Sequence, residues 1–360
     1  MEDSSEIVKL RKIIDEVDTS LLKLMNERAD LAKQIGLVKN NQNKPSAIYR
    51  PDREFTIISE LLGKNQGPLT DSSIEVIFKD IISACRSVEA KLVVAYLGPQ
   101  GSYTEAAMYK HFGKLIDKKP CGDISSVFRE IDLGGSDYGI VPVENSYGGS
   151  VTESLDCLVN NSAGIIGEVY LTINHQLLSS EASLRDVETV FAHQQSLSQC
   201  RLWLKNNLPN ANLISVSSNS AAVKKSLEEK KTAAIAGSTA AEIYKVPILQ
   251  SNIADSSDNT TRFIILGKTL NESTGKDRTS IAFGVKNEFG ALYNVLTSFY
   301  EAKISLSKIE SRPSGQDLWE YIFYVDLNGH FKDANMRSAL KETRKKVSML
   351  KILGSYPQAL

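Results

Sequence analysis

The sequence predicts a multidomain chain: an all-α segment, then a larger α/β segment, then a small α+β ferredoxin-like unit. Three features carry this. Residues 6–90 place apolar side chains at helical spacing. Residues 92 to about 268 alternate short apolar runs with amphipathic stretches, the pattern of strands and helices. Residues 279–353 repeat that alternation as strand–helix–strand–strand–helix with a last short strand, the order of a ferredoxin-like unit. The expected domains are 1–90, 91–268 and 279–356, with the polar stretch Lys268–Thr279 as the second linker. A chain of 360 residues suits about two to three domains.

Composition removes several function classes. Lys and Arg number 42 against 43 Asp and Glu, and this balance argues against nucleic-acid binding, which favours a basic excess or face. No apolar run approaches the roughly 20 residues that span a bilayer. The start, Met-Glu-Asp-Ser-Ser-Glu, lacks the basic and apolar regions of a signal peptide, so a cytoplasmic location is expected. Cys85, Cys121, Cys157 and Cys200 form no C-x-x-C pair, which indicates neither a zinc site nor a disulfide framework. No G-x-G-x-x-G or G-K-[ST] motif occurs, so dinucleotide and P-loop sites are not expected. No metal and no organic cofactor are expected.

The first helix carries Ile7, Leu10, Ile14, Val17, Leu21, Leu24, Leu31, Ile35 and Val38 at spacings that make a packing seam. Its one gap, position 28, holds Arg28. An arginine there is either a snorkelling side chain near a bundle end or part of an anion site inside a helical bundle. Lys39 lies eleven residues on, roughly 16 Å along nearly the same face. Two such cations could close on a small dianion. The segment Asn40–Pro51 breaks the helix, and Asp52-Arg53-Glu54 opens a second with acid in its first turn. A third helix over 71–90 carries Ile74, Ile77, Phe78, Ile81, Ile82 and Cys85 on one face, which Glu89 continues.

The stretches L-R-K-I-I-D-E-V-D, N-E-R-A-D-L-A-K-Q-I-G-L-V-K and Y-R-P-D-R-E resemble the all-helical chorismate mutases. That resemblance implies two interlocked three-helix protomers. Chorismate would be bound by Arg28, Lys39 and Arg53 of one chain and Arg11 of the other. Glu54 would meet the substrate hydroxyl, and Arg50 would add a contact. Cys85 stands where a serine contact can occur, and Glu89 where some members have glutamine. The rearrangement to prephenate is pericyclic, so catalysis rests on holding the reactive conformer and stabilising charge on the breaking ether oxygen, the task of Lys39 and residue 89. Only a protonated carboxyl can donate a hydrogen bond, so Glu89 is expected to act protonated in apolar surroundings, with mutase activity declining above neutral pH.

In the middle segment, Lys91–Leu97 reads as a strand running into Gly98-Pro-Gln-Gly-Ser-Tyr-Thr, a glycine turn before a helix and an anion-binding shape. Tyr138–Val151 puts Glu144 and Asn145 at a strand end, where α/β sheets often contact ligands; a plain Asn/Ser/Gly-rich turn is the other reading. His193 is expected to begin a helix rather than act as a base. With Ile173–Ser179, Phe191–Cys200, Ser218–Val223 and Asp258–Phe263, these motifs resemble prephenate dehydratase over about 92–268. The resemblance implies two α/β lobes around a cleft, similar to a periplasmic binding protein. Thr261 would protonate or hydrogen-bond the leaving hydroxyl as prephenate loses carbon dioxide and water. Arg262 would fix a carboxylate or the motif Thr261-Arg262-Phe263 itself. Ser102, Thr104, Glu144, Asn145, Ser146 and Gln199 would line the cleft. Ala192 stands where the family usually has serine, so that hydroxyl contact is absent.

In the last segment, strands are expected at 280–287, 304–310 and 318–327 and a helix at about 289–302. Gly290, Ala291 and Leu292 open that helix, and Glu310-Ser311-Arg312-Pro313 ends the strand after it. These motifs resemble the ACT domain, which implies phenylalanine as effector bound at a dimer interface. Small Gly290 and Ala291 would allow close approach, and the helix N-terminus favours a carboxylate. Tyr293 replaces a common smaller valine. Together the resemblances imply a bifunctional enzyme acting on chorismate and prephenate, inhibited by phenylalanine, and self-associating as a homodimer or homotetramer. The alternatives are a non-catalytic amino-acid-sensing binding protein, or a chain with one of its two catalytic domains active.

Overall fold

The computed structural model describes residues 5–41, 49–256, 258–286, 288–313 and 321–359, with the side chains of 40 and 41 left aside. Residues 42–48, most of the predicted break after the first helix, lie outside that set, as do 287 and 318–320 at the ends of two predicted strands. The chain forms two compact units, residues 1–92 with 112–117, and residues 93–111 with 118–360.

The first unit is three helices: α1 (Ser5–Asn41), α2 (Pro51–Lys64) and α3 (Asp71–Glu89). Pro51 sits at the start of α2, where its missing N–H costs nothing, and Thr70 caps α3 by accepting the Ser73 amide. The expected seam on α1 is open within the chain: Ile7 is 42% exposed and Leu24 60%, with the rest of the stripe between. The face of α1 that turns inward carries Arg28, Ala29, Ala32, Gly36 and Lys39, all partly or fully buried. A Cβ on Gly36 would stand 2.6 Å from Glu89 Cγ, so the missing side chain lets α3 approach. Arg28 therefore lies on a face of small residues beside the apolar stripe, not in a packed seam of its own chain.

The second unit holds three sheets. Its elements are β1 (Val93–Leu97), α4 (Tyr103–Phe112), β2 (Asp117–Cys121), α5 (Ile124–Asp132), β3 (Tyr138–Asn145), β4 (Gly149–Ser150), α6 (Thr152–Asn160), β5 (Gly164–Thr172), β6 (Gln176–Leu178), β7 (Thr189–His193), α7 (Gln194–Gln199), α8 (Arg201–Asn207), β8 (Asn212–Val216), α9 (Asn219–Glu228), β9 (Thr232–Ala236), α10 (Ser238–Tyr244), β10 (Ile248–Gln250), β11 (Thr260–Gly267), β12 (Asp277–Val285), α11 (Ala291–Glu301), β13 (Leu306–Pro313), β14 (Tyr321–Asn328), α12 (Ala334–Arg344) and β15 (Met349–Pro357). The first sheet runs β2-β1-β3-β11-β5 with β4 paired to β3, and the second runs β10-β6-β9-β7-β8. These are the two lobes. The chain crosses between them after β5 and returns after β10, so β11 lies antiparallel between β3 and β5 and belongs to the first lobe.

The third sheet, β13-β14-β12-β15, completes a ferredoxin-like unit with α11 and α12. Its last strand is nine residues, not short, because it pairs with β12 from Asp277 opposite Pro357 to Gly284 opposite Met349. This unit is not set apart from the first lobe. One apolar core runs through Ile165, Ile264, Leu266, Ala282, Tyr324, Leu353 and Tyr356, drawn from both sheets. A Cβ on Gly354 would fall 2.0 Å from the Ile165 carbonyl oxygen, so only glycine lets β15 meet β5 backbone to backbone. Gly290 has open space around it within the chain. It precedes α11 at φ +74, a conformation that glycine adopts freely, and a Cβ there would meet nothing closer than 3.9 Å.

Candidate functional site

Between the lobes lies a cavity of about 340 Å³, lined on one side by the Leu97–Thr104 turn, Asn145 and Thr261 and on the other by His193, Gln199 and Ser217–Ser220. Ser102 Oγ accepts the Glu105 amide at the start of α4 and donates to Leu97 O. Glu105 is fully buried and steadies the turn: its carboxylate accepts Gly101 N–H at 2.5 Å, Lys118 Nζ at 2.6 Å and Tyr109 O–H at 3.0 Å. Thr104 and Phe263 line the cavity as expected positions, and His193 begins α7 by accepting the Gln195 amide.

A directed chain of hydrogen bonds sets the cleft's polarity. Asn145 Oδ1 accepts the backbone N–H groups of Tyr147 and Gly148, at 3.0 and 2.8 Å. The amide's orientation is thereby fixed, and its Nδ2 donates to Thr261 Oγ1 and to Asn259 Oδ1, both at 2.8 Å. Asn259 Nδ2 donates to Gln199 Oε1 at 3.1 Å, which also faces His175 Nε2 at 2.7 Å. His175 Nε2 must then carry the proton, leaving Nδ1 as the acceptor that faces Tyr103 O–H at 2.8 Å, a hydroxyl shared with Asn174 O at 3.1 Å. Burial lowers the His175 pKa, opposed by the bond to Gln199, so the ring stays neutral. Burial likewise raises the Tyr103 phenol. Because Thr261 already accepts from Asn145, its own proton is free to point at a ligand.

Strand alternation sorts the remaining expected residues. Thr261 and Phe263 on β11, and Asn259 just before it, face the cavity at every second position, and Arg262 faces the other way. On β3, Asn145 faces in while Glu144 turns to Lys308, with Nζ 3.0 Å from its carboxylate. Ser146 Oγ accepts the Thr260 amide and donates to Asp258 O. Glu144, Ser146 and Arg262, expected with the cleft residues, do not line this cavity; Arg262 instead holds the strand from behind, the second of its two expected roles. Ala192 lies in the core of the second lobe beside Leu177 and Val190, so a serine there would not reach the cavity directly. Tyr103, His175 and Asn259, with Gln195 and Ser217–Ser220 of the second lobe, are polar cleft residues beyond those the motifs pointed to. The period-two spacing from Thr261 points to Asn259.

In the helical unit, Lys39 Nζ lies 3.6 Å from Glu89 Oε1, and the Glu89 side chain is only 13% exposed. The surroundings of Glu89 are therefore not apolar as expected; a cation stands beside it. Glu54 pairs with Arg86, a buried residue missing from the sequence-based set, whose guanidinium also donates to Phe112 O at 2.7 Å and lies over the Tyr49 ring. Burial raises the Glu54 pKa, opposed chiefly by Arg86, with Lys79 and Arg28 adding smaller opposing charge. Arg50 chelates Asp52 through two hydrogen bonds, at 3.0 and 2.6 Å. Arg53 and Arg11 are exposed. One chain thus brings Arg28, Lys39, Glu54 and Glu89 onto the facing sides of its helices and leaves Arg11 apart.

In the ferredoxin-like unit, β13 alternates. Lys308, Glu310 and Arg312 face the first lobe, where Glu310 Oε2 accepts Ser150 Oγ at 3.0 Å and Arg312 donates to Asp156 and to Thr152 O. Ser311 and Pro313 are exposed. Ala291 and Leu292 pack on the unit's own core, and Tyr293 is 73% exposed.

A family model for chorismate mutase type II matches residues 10–90, and one for prephenate dehydratase matches residues 94–271. A bifunctional chorismate mutase/prephenate dehydratase of Aquifex aeolicus is 44% identical over 359 residues, covering 99% of each chain. Among solved structures, the prephenate dehydratase of Arthrobacter aurescens in complex with L-Phe is 33% identical, with a TM-score of 0.70 over 74% of this chain and 90% of that one. GqqA, described as a novel type of quorum quenching acylase, is 25% identical, with a TM-score of 0.69 over 74% of this chain and 98% of its own. The match along almost the whole length, with both family models in sequence, shows that this chain belongs to the bifunctional chorismate mutase/prephenate dehydratase family.

Proposed function

We propose that the helical unit rearranges chorismate to prephenate and that the cleft converts prephenate to phenylpyruvate, with phenylalanine inhibiting the second step. The fixed polarity around Thr261 carries the cleft assignment. The substrate's carboxylate leaves as carbon dioxide, its electron pair enters the ring, and the ring hydroxyl departs as water. Thr261, held as an acceptor by Asn145, donates a hydrogen bond to that departing oxygen, and the proton that makes it water is replaced from solvent, so Thr261 ends the step as a neutral hydroxyl. Aromatisation drives the step, and a neutral amide-lined cleft avoids stabilising the carboxylate that must be lost.

In the helical unit no nucleophile is required. Arg28 and Lys39 bind the substrate carboxylate and ether oxygen, and Glu89 orients the Lys39 ammonium. Arg11 cannot join them from the same chain: seventeen residues of helix separate it from Arg28, about 26 Å. A second chain crossing the exposed stripe of α1 would supply it, which makes the functional form at least a homodimer. The ferredoxin-like unit is read as an ACT domain and adds a second self-association surface, so a homotetramer is the other form. Gly290–Leu292 and the β13 end are its proposed phenylalanine site. The domains are taken as 1–90, 91–268 and 279–356, and the enzyme as cytoplasmic. Among the described residues no helix is long and apolar enough to cross a membrane.

The likeness to an acylase shows that this fold alone does not fix the reaction. Thr261→Ala tests it. Prephenate turnover should fall at least about 100-fold, the size of effect seen for one lost transition-state donor, while chorismate is still rearranged. Retained phenylpyruvate formation would remove Thr261 from the mechanism.

A further inference from the structure

The cavity-facing residues Thr261 and Asn145 have immediate neighbours, Arg262 and Glu144, that pair across the ladder on the opposite face of the sheet. There they enter a buried ionic cluster made largely by the ferredoxin-like unit. Arg262 Nε donates to Glu168 on β5 at 2.8 Å, one guanidinium NH₂ donates to Asp326 on β14 at 2.5 Å, and the other donates to Tyr356 O–H on β15 at 2.8 Å. Arg278 on β12 shares Glu168 at 2.5 Å, and Ser280 donates to the second oxygen of Asp326. Lys308 on β13 forms an ion pair with Glu144, Nζ 3.0 Å from its carboxylate but not aligned as a hydrogen bond, so the contact is one of charge; Arg262 lies 3.9 Å from the same oxygen. Three cations, Arg262, Arg278 and Lys308, thus face three acids, Glu144, Glu168 and Asp326.

We propose that Lys308 and Asp326, though outside the dehydratase fold, are positioning residues for its reaction: by holding Glu144 and Arg262 they fix the two strand ends that place Asn145 against Thr261. This rests on the cleft being the prephenate site and adds what sets its geometry. The physical reason is the pleat. A strand residue cannot shift on one face without tilting its neighbours on the other, and a 2.8 Å bond between side chains on two strands tolerates little tilt. Removing one member of a buried ion pair leaves an uncompensated charge, and the groups around it must rearrange. The cluster costs the lobe nothing in net charge. It ties β13 and β14, rather than only the lobe's own strands, to the reacting hydroxyl. A displacement of β13, whose Ile309 and Ser311 face outward while Lys308 faces the cluster, therefore reaches Thr261 through two contacts.

The test uses full-length enzyme with Lys308→Met, Lys308→Arg and Asp326→Asn, and an exposed-pair control, Lys332→Met. Steady-state kinetics on prephenate should show kcat at least 10-fold lower for Lys308→Met and Asp326→Asn, with KM within about 2-fold. Lys308→Arg should recover most of the rate, and Lys332→Met and all chorismate turnovers should match the parent. If Lys308→Met does not fold, as seen by circular dichroism, the near-isosteric Asp326→Asn decides. Parental kcat in folded Asp326→Asn and Lys308→Met overturns the proposal, as does a loss confined to KM. A parent enzyme without prephenate turnover would instead bring down the reading of the cleft itself, and this inference with it.

Discussion

Asn145 determines which way the neighbouring amides of the dehydratase cleft point, because two backbone N–H groups capture its oxygen. Replacing it tests the mechanism more finely than removing Thr261. Asn145→Asp places an acceptor where a donor stood, so the Thr261 proton turns onto the new carboxylate. We expect kcat on prephenate to fall about 100-fold. Asn145→Ala only releases Thr261 and should cost less; the two rates, measured together, order the effects. His175 gives a pH signature. Its folded pKa lies below the ordinary value near 6.5, so the unfolded chain takes up the proton first. Stability of the second unit should be constant above roughly pH 6.5 and decline as pH falls through that value toward the lower folded pKa. Thermal unfolding across pH 5–8 checks this, and His175→Gln should flatten the slope. Thr261 and Asn145 were legible as motif residues. Asn259 was legible only through its period-two spacing from Thr261, and Tyr103 and His175 were not, because those two meet only when the fold brings together residues 72 apart in sequence. Glu144 and Arg262 are adjacent to cleft residues in their motifs, yet alternation along the strand turns them to the opposite face.

Two glycines show how elements meet. On β15, a Cβ at Gly354 would strike backbone atoms of Ile165, which have nowhere to move. Gly354→Ala should cost about 2–4 kcal/mol by prising the strands apart, read as a lower melting transition of the second unit. On α1, a Cβ at Gly36 would stand 2.6 Å from Glu89 Cγ, so that side chain must shift. In Gly36→Ala a gain of up to about 1 kcal/mol of helix propensity offsets the shift, so the melting transition should fall less than in Gly354→Ala. Chorismate turnover should nevertheless fall several-fold, because Glu89 leaves Lys39. A matching loss of stability in both variants would contradict this distinction. The three helices and the ferredoxin-like order were legible from periodicity. The inward face of α1 was not: its strongest apolar stripe is the one its own chain leaves uncovered, and the face it uses is small and polar.

At the scale of the whole molecule, the two reactions should respond separately to assembly and to effector. Leu24→Glu puts charge in the middle of the exposed stripe on α1, which a second chain would have to bury. Chorismate turnover should drop more than 10-fold while prephenate turnover stays within about 2-fold. Equal loss of both, or of neither, would contradict a shared mutase site. Phenylalanine should slow prephenate turnover and leave chorismate rearrangement unchanged, and by linkage prephenate should weaken phenylalanine binding by the same factor, measurable by calorimetry. The sequence divides the chain into three segments, whereas the chain forms two compact units. That grouping was not legible, because the union of the last unit with the first lobe depends on Gly354 and a buried ion cluster, neither of which has a linear signature. The most direct measurement is a progress curve on purified enzyme given chorismate alone, followed by ultraviolet absorbance. Prephenate should rise and fall as phenylpyruvate accumulates to one molecule per chorismate consumed. Chorismate left intact, or a reaction that halts at prephenate, would contradict the two-step assignment.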